Sequence, residues 1–212
     1  MVVAIDGPAA SGKGTIASLL AEKLNLETID TGAMYRAVTL YAIENKLVDE
    51  KEIVEAAKNL KIELKDDKVF LNDKDVSKEI RTPEVTELVP TISSIYEIRL
   101  LLIDLQREIA KGKNVIMEGR DITTVVFPDA EYKFYLDATL EERARRRLID
   151  YQKSGKNITF DEVKEEIKAR DKADMEKEFG ALKRTDDQIY IDSTNMSTDE
   201  VVKEMIKYIK GE

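Results

Sequence analysis

The sequence predicts an α/β protein built on an open, mostly parallel five-stranded sheet with helices on both faces. Three observations predict it. Five short apolar runs, "VVAID", "LETID", "NVIME", "EYKFYLD" and "DQIYID", are separated by segments with helical spacing. A glycine-rich loop, "GPAASGKGT", joins the first run to a helix. Between about residues 51 and 80 the texture changes to short alternating stretches, which marks an insertion rather than more of the same sheet.

The elements follow in order. Val2 to Asp6 is a continuous apolar run, the pattern of a strand buried on both faces. In "TIASLLAEKLNL", Ile16, Leu19, Leu20 and Leu24 share one helical face. "LETIDTG" gives a second strand ending at Asp30, and "GAMYRAVTLYAIENKL" a helix with Met34, Val38 and Tyr41 three to four residues apart. "EIVEAAKNL" reads as helical. "KIELKDDKVFLNDKDV" reads as strands joined by turns at "KDD" and "ND". "PTISSIYEIRLLLIDLQREIAKGK" predicts one long helix ending near Gly112. "NVIMEGRD" and "AEYKFYLDA" are the third and fourth strands. Two helices then open on threonine caps, at Thr139, where Glu142 three residues on completes a capping box, and at Thr159 in "TFDEV". "DQIYIDSTNM" is the fifth strand, and "STDEVVKEMIKYIK" the closing helix.

Composition narrows the chemistry. The 212 residues are 42% hydrophobic, enough for a sizeable core without staples. There is no cysteine, hence no disulfide, thiol nucleophile or zinc–thiolate site. There is no histidine, which removes His-based acid–base catalysis and HExxH metal sites. A formal charge of −9 argues against general nucleic-acid binding. No apolar run is long enough for a membrane span, and Met1 to Ile5 lacks the basic lead-in of a signal peptide. A cytoplasmic location is the expectation, with no nucleic-acid or membrane partner. A monomer is expected from the lack of an obvious exposed apolar stripe.

Gly7 to Thr15 nearly matches G-x-x-x-x-G-K-[ST], with Gly14 where the hydroxyl residue should stand and the threonine one place later. Gly7, Gly12 and Gly14 let successive N–H groups turn towards one anion, and the helix start adds its own. Lys13 supplies a mobile charge for phosphates. The bland alternative is a tight turn before a helix. Asp6, Asp30 and Asp192 end strands, where they either hold water on a metal ion or cap loops. The arginines are more telling. Arg36 and Arg99 lie on helices, Arg120 and Asp121 follow the third strand, and Arg143, Arg146 and Arg147 crowd one helix start. Arg143 and Arg147 share a face, as do Arg170 and Asp174. Like charges so placed are unfavourable unless an anion lies between them; the alternative is a solvated face paired with Glu141, Glu142 and Asp150. Phosphoryl transfer between two small nucleotides suits this set, because it needs placement and positive charge rather than a general base.

Taken with "IDTGAMYRAVTLYA", "DVSKEIRTPEV", "EGRDITTVVFPDAEYKFYLDAT", "EERARRRL", "EIKARDKAD" and "YIDST", the sequence resembles the nucleoside monophosphate kinases, and among them the bacterial cytidylate kinases, essentially end to end. The resemblance implies a P-loop kinase fold. It implies a core domain of residues 1–32 and 108–212, with a helical lid at about 145–168. It also implies an acceptor-binding domain of 33–107, carrying a small antiparallel sheet near 60–80. It implies transfer of the γ-phosphoryl group of ATP to CMP or dCMP with Mg²⁺. Gly7, Pro8, Ala9, Ala10, Ser11, Gly12, Lys13, Gly14 and Thr15 would bind ATP. Thr31, Arg36, Arg99, Arg120, Asp121, Arg170 and Asp174 would bind CMP. Lys13, Arg120, Arg143, Arg147 and Arg170 would be catalytic, with Arg143 and Arg147 enclosing the transferred group. No side chain is assigned to Mg²⁺ directly; Thr15 and Asp30 are candidates for indirect support. Two positions depart from the family pattern. Pro90 stands where a base-contacting serine is usual, with Thr91, Ser93 and Ser94 as neighbouring hydroxyls, and Lys177 stands for an arginine. Another small-molecule kinase of this fold, or a nucleotide-binding switch, is the competing reading.

Overall fold

The computed structural model describes residues 1–65, 68–153 and 155–211. In chain order its strands and helices begin with β1 (Val2–Asp6), α1 (Lys13–Leu24), β2 (Glu27–Asp30), α2 (Thr31–Glu44) and α3 (Glu50–Ala57). Then come β3 (Ile62–Lys65), β4 (Lys68–Leu71), β5 (Lys74–Asp75), α4 (Pro83–Ile92) and α5 (Tyr96–Ala110). The chain closes with β6 (Val115–Gly119), β7 (Tyr132–Asp137), α6 (Leu140–Lys153), α7 (Phe160–Met175), β8 (Ile189–Asp192) and α8 (Thr198–Lys210). Two compact units result, one of Met1–Thr28 with the chain from Lys113 onward, the other of Ile29–Gly112.

The five apolar runs form a five-stranded sheet in the order β2-β6-β1-β7-β8. β1 runs parallel to both β6 and β7, and β7 parallel to β8. β1 lies in the middle, so Val3 and Ile5 are fully buried, and Ile116, Phe134 and Leu136 flank them. Ile16 and Leu20 of α1 and Val201, Val202 and Met205 of α8 complete that core. Each such side chain contributes roughly 1.5–3 kcal/mol on burial. α6 and α7 pack through a smaller cluster of Ala144, Val163 and Ile167. Among the described residues no helix is long and apolar enough to cross a membrane.

The second unit packs α2 against α4 and α5 and carries the antiparallel sheet β3-β4-β5. The "ND" turn is there: Asn72 and Asp73 join β4 to β5 with φ of 48° and 65°. Both central residues left-handed is the requirement of a type I′ hairpin, which Asn and Asp meet. The "KDD" turn includes Asp66 and Asp67, which lie outside the described residues.

Two expectations need correction. The single long helix is two helices. α4 starts earlier, with Pro83 at its first turn, and Ile95 (ψ 117°) breaks the chain before α5. The hydroxyls of Ser93 and Ser94 donate to the carbonyls of Pro90 and Thr91, satisfying groups the helix end would orphan. Thr139 does not form a complete capping box. Its Oγ accepts a 3.4 Å bond from Glu142 N–H, but its own N–H donates to Thr194 Oγ. The Thr159 box closes in full.

Candidate functional site

The glycine-rich loop leaves the carboxyl end of β1. A Cβ on Gly7 would stand 2.0 Å from the carbonyl oxygen of Leu136, so only glycine passes β7 there. Ala9 is held from outside the loop: its N–H donates to Asp171 Oδ1 (3.1 Å) and its carbonyl accepts from Arg143 Nη1 (2.9 Å). Ala10 is left-handed at φ 59°, and Gly12 at φ 92° caps α1 with no side-chain bond to the helix N–H groups. Those N–H groups are the ready anion site of a helix start. Lys13, 5% exposed, folds back onto its own loop, donating to Pro8 O (2.8 Å) and Ser11 Oγ (3.3 Å). Burial, reinforced by the positive charge of Arg120, lowers its pKa to about 7, against the pull of Glu118, Asp6 and Asp174. Gly14 has ordinary room: a Cβ there would sit 3.6 Å from Glu118 Oε1.

The strand-end aspartates all cap backbone. Asp6 accepts from Ile122 N–H (2.8 Å), Thr123 N–H (2.9 Å) and the Thr123 hydroxyl. These bonds tie down a π-helical turn, Ile122–Val126, directly after Asp121. Burial nonetheless pushes the Asp6 carboxyl above the usual carboxylate range. Asp30 caps α2 through Ala33 N–H and pairs with Arg81 at 3.5 Å. Asp192 accepts from Thr194 N–H and hydroxyl.

Three of the four arginines of α6 have different settings. Arg143, 7% exposed, donates from Nε to Ala138 O (3.0 Å) and from Nη1 to Ala9 O and Asp171 Oδ2 (2.6 Å). Arg146 reaches across to the loop, donating to Ser11 O (3.2 Å), Ser193 Oγ (3.1 Å) and Ser193 O (2.7 Å), with Glu142 behind it at 3.1 Å. Arg147 lies over the Tyr151 ring, 5.4 Å from its centre. A cleft of about 320 Å³ opens beside the loop, bordered by Gly12, Thr15, Arg146, Arg147, Ser193 and Thr198 among others.

Beyond β6, Asp174 (1% exposed) gathers Arg120 Nε (2.7 Å), Lys177 Nζ (3.1 Å) and Arg170 Nε (3.5 Å). Burial alone would raise its pKa, but Arg120, Lys177 and Arg170 outweigh it and hold the carboxyl far below its ordinary value. Both carboxylate oxygens are thus engaged. Asp121 is buried at the start of the π-helical turn.

In the second unit, Thr31 is buried at the first position of α2. Arg36 Nη1 donates to Ile80 O (3.1 Å) and Thr86 Oγ (2.9 Å). Arg99, also buried, donates to Ser93 O (3.2 Å) and stacks over Tyr35. It therefore caps the α4–α5 break, where the Ser93 hydroxyl donates to the carbonyl of Pro90.

The family model described as cytidylate kinase matches residues 3–211. The chain belongs to the cytidylate kinase family. It is 47% identical to the cytidylate kinase of Fusobacterium nucleatum, over 99% of this chain and 97% of that protein. It is 44% identical to the cytidylate kinase of Clostridioides difficile, over 99% and 98% respectively. Among solved structures, the shikimate kinase of Bacteroides thetaiotaomicron has the same fold at TM-score 0.50 and 13% identity, covering 99% of this chain and 98% of that one. An uncharacterised protein from Eubacterium ventriosum aligns at TM-score 0.58 and 16% identity, over 100% and 99%.

For this cytidylate kinase family member, sequence reasoning missed Asp171, Glu118 and Ser193 as site residues and gave Arg146 no role of its own. Asp171 carried a usable signal: it adjoins Arg170 and lies one turn before Asp174, yet a single aspartate on a charged helix reads as solvated. Glu118 could have been found as the acid ending an apolar strand.

Proposed function

We propose that the chain transfers the γ-phosphoryl group of ATP to CMP or dCMP, giving ADP and CDP or dCDP. One observation carries this reading. Lys13 is buried and Arg120 half-buried, and they lie close enough for the charge of Arg120 to help lower the pKa of Lys13. Holding like charges together out of water is unfavourable, and a polyphosphate between them removes the penalty.

An oxygen of the acceptor monophosphate attacks the γ-phosphorus while the bond to the ADP oxygen breaks. The attacking oxygen is already anionic, so no general base is needed, consistent with a chain that has no histidine. The loop from Gly7 to Thr15 binds the donor phosphates, and the cleft beside Arg146 and Arg147 receives the donor nucleoside. Lys13, Arg120, Arg147 and Arg170 stabilise charge on the transferred group, while Arg143 contributes through the loop it holds. Thr31 and Arg36 hold the acceptor sugar and phosphate; Arg99 and Asp121 read its base. Asp174 meets the nucleotide sugar by giving up one of its ion pairs. The domain limits 33–107 and the lid at 145–168 belong to this same reading; Ser154 of that lid lies outside the described residues.

Mg²⁺ is the proposed metal. Among the described residues no group of three or more acidic or other ligating side chains is poised for a metal. The ion would be carried mainly by phosphates and water. Glu118, facing the space at Gly14, and Thr15 are the residues beside it; Asp30, which caps α2 and pairs with Arg81, is the other candidate for indirect support. When bound, the ion neutralises charge on the donor phosphates. A cytoplasmic, monomeric enzyme is the accompanying proposal.

A coupled ADP-release assay with ATP and CMP, dCMP, UMP or AMP tests the reading. The cytidine nucleotides should give the highest kcat/KM. Clear preference for AMP or UMP would overturn it.

A further inference from the structure

We propose that Asp171 and Arg143 are positioning residues that fix the shape of the phosphate-binding loop by clamping Ala9 through both polar groups of its backbone. The clamp is a closed set of bonds. Asp171 Oδ1 accepts from the N–H of Ala9, Arg143 Nη1 donates to its carbonyl, and the two side chains pair at 2.6 Å. Nε of the same guanidinium donates to Ala138 O at the end of β7. Both residues are almost fully buried, Arg143 at 7% and Asp171 at 8% exposure. A guanidinium has the rigid fork needed to meet several acceptors at once.

The placement has a mechanical consequence. Ala9 has no polar side chain with which to hold itself, and the next residue, Ala10, is left-handed at φ 59°. An alanine in that conformation is strained and persists where its surroundings over-determine it. Two neighbours do so here: the clamp on Ala9, and the α6–α7 core of Ala144, Val163 and Ile167, against which Ala10 packs. Arg143 comes from α6 and Asp171 from α7, so the loop keeps its shape only while those helices are docked. The N–H of Ala9 is spent on Asp171, which leaves phosphate binding to later N–H groups of the loop.

The proposal rests on the loop being the donor site. The test compares ADP and CMP binding to full-length wild type and Asp171→Ala by calorimetry, well below each protein's melting temperature. Loss of the clamp should weaken ADP about tenfold or more and leave CMP within about twofold, because only the donor phosphates use the loop. Arg143→Lys keeps the charge but not the fork, and should show the same donor-specific loss to a smaller extent. Should Asp171→Ala fail to fold, Asp171→Leu, which has the same branching and offers no acceptor, takes its place. Equal weakening of ADP and CMP makes the pair a general brace and overturns the proposal, as does unchanged ADP affinity. Wild type that binds no ADP would instead remove the donor-site reading, and the proposal with it.

Discussion

Two helices of the first unit begin with the same local signal, Thr-x-x-Glu, and end up differently. At Thr159 the box closes on both sides: the threonine hydroxyl accepts from Glu162 N–H, and Glu162 accepts from Thr159 N–H at 2.8 Å. At Thr139 it does not. Glu142 turns away to Arg146 and Arg145, and the Thr139 N–H goes to Thr194. The physical difference is what lies beside each end. Arg146 must reach Ser11 and Ser193, and a carboxylate behind it orients that guanidinium. The start of α7 has only itself to satisfy. Where a helix end borders the loop, local capping yields to the site; where it does not, the local rule holds.

The comparison yields graded tests. Lys13→Ala is the upper limit of damage to the loop, and kcat should fall about 100-fold or more. The same residue sets a pH test. Its folded pKa of about 7 lies below the ordinary 10.5, so between those values the folded protein lacks a proton that the unfolded chain holds. Stability from this group therefore rises with pH through that window, and its penalty is fully present below it. Phosphate binding should restore the proton. Calorimetry at about pH 8 in buffers of different ionisation enthalpy should record uptake approaching one proton on ATP binding, abolished in Lys13→Ala. Arg146→Ala should raise the KM for ATP about tenfold with a smaller change for CMP, since its bonds run to the loop and the cleft. Glu142→Gln should do the same by about two- to fivefold. Thr159→Ala should cost about 1 kcal/mol of stability by thermal or urea unfolding and leave both KM values within about twofold. If Thr159→Ala moved the ATP KM as much as Glu142→Gln, the distinction between the two helix ends would collapse.

Much of the architecture was legible in the residues. The runs at Val2–Asp6 and Val115–Gly119 are apolar because both faces of a central parallel strand are buried, and that pattern needs no tertiary information. The "ND" turn was legible because few residues accept two successive left-handed positions. The break between α4 and α5 was not, because "TISSIYEI" has no glycine and its apolar spacing continues across it. Closure there depends on Arg99 meeting Ser93 O, a contact that only packing creates.

The sequence by itself determined the sheet, the glycine-rich loop and the positive residues gathered for phosphates, because periodicity, backbone freedom and charge are local properties. Only the tertiary structure decided which charges are spent inside the fold. Arg143 and Arg146 are three residues apart and alike in sequence. One is buried on Asp171 and Ala9, and the other lines the cleft. Asp171 comes from a helix 28 positions away, so nothing in the neighbourhood of Arg143 announces that pairing.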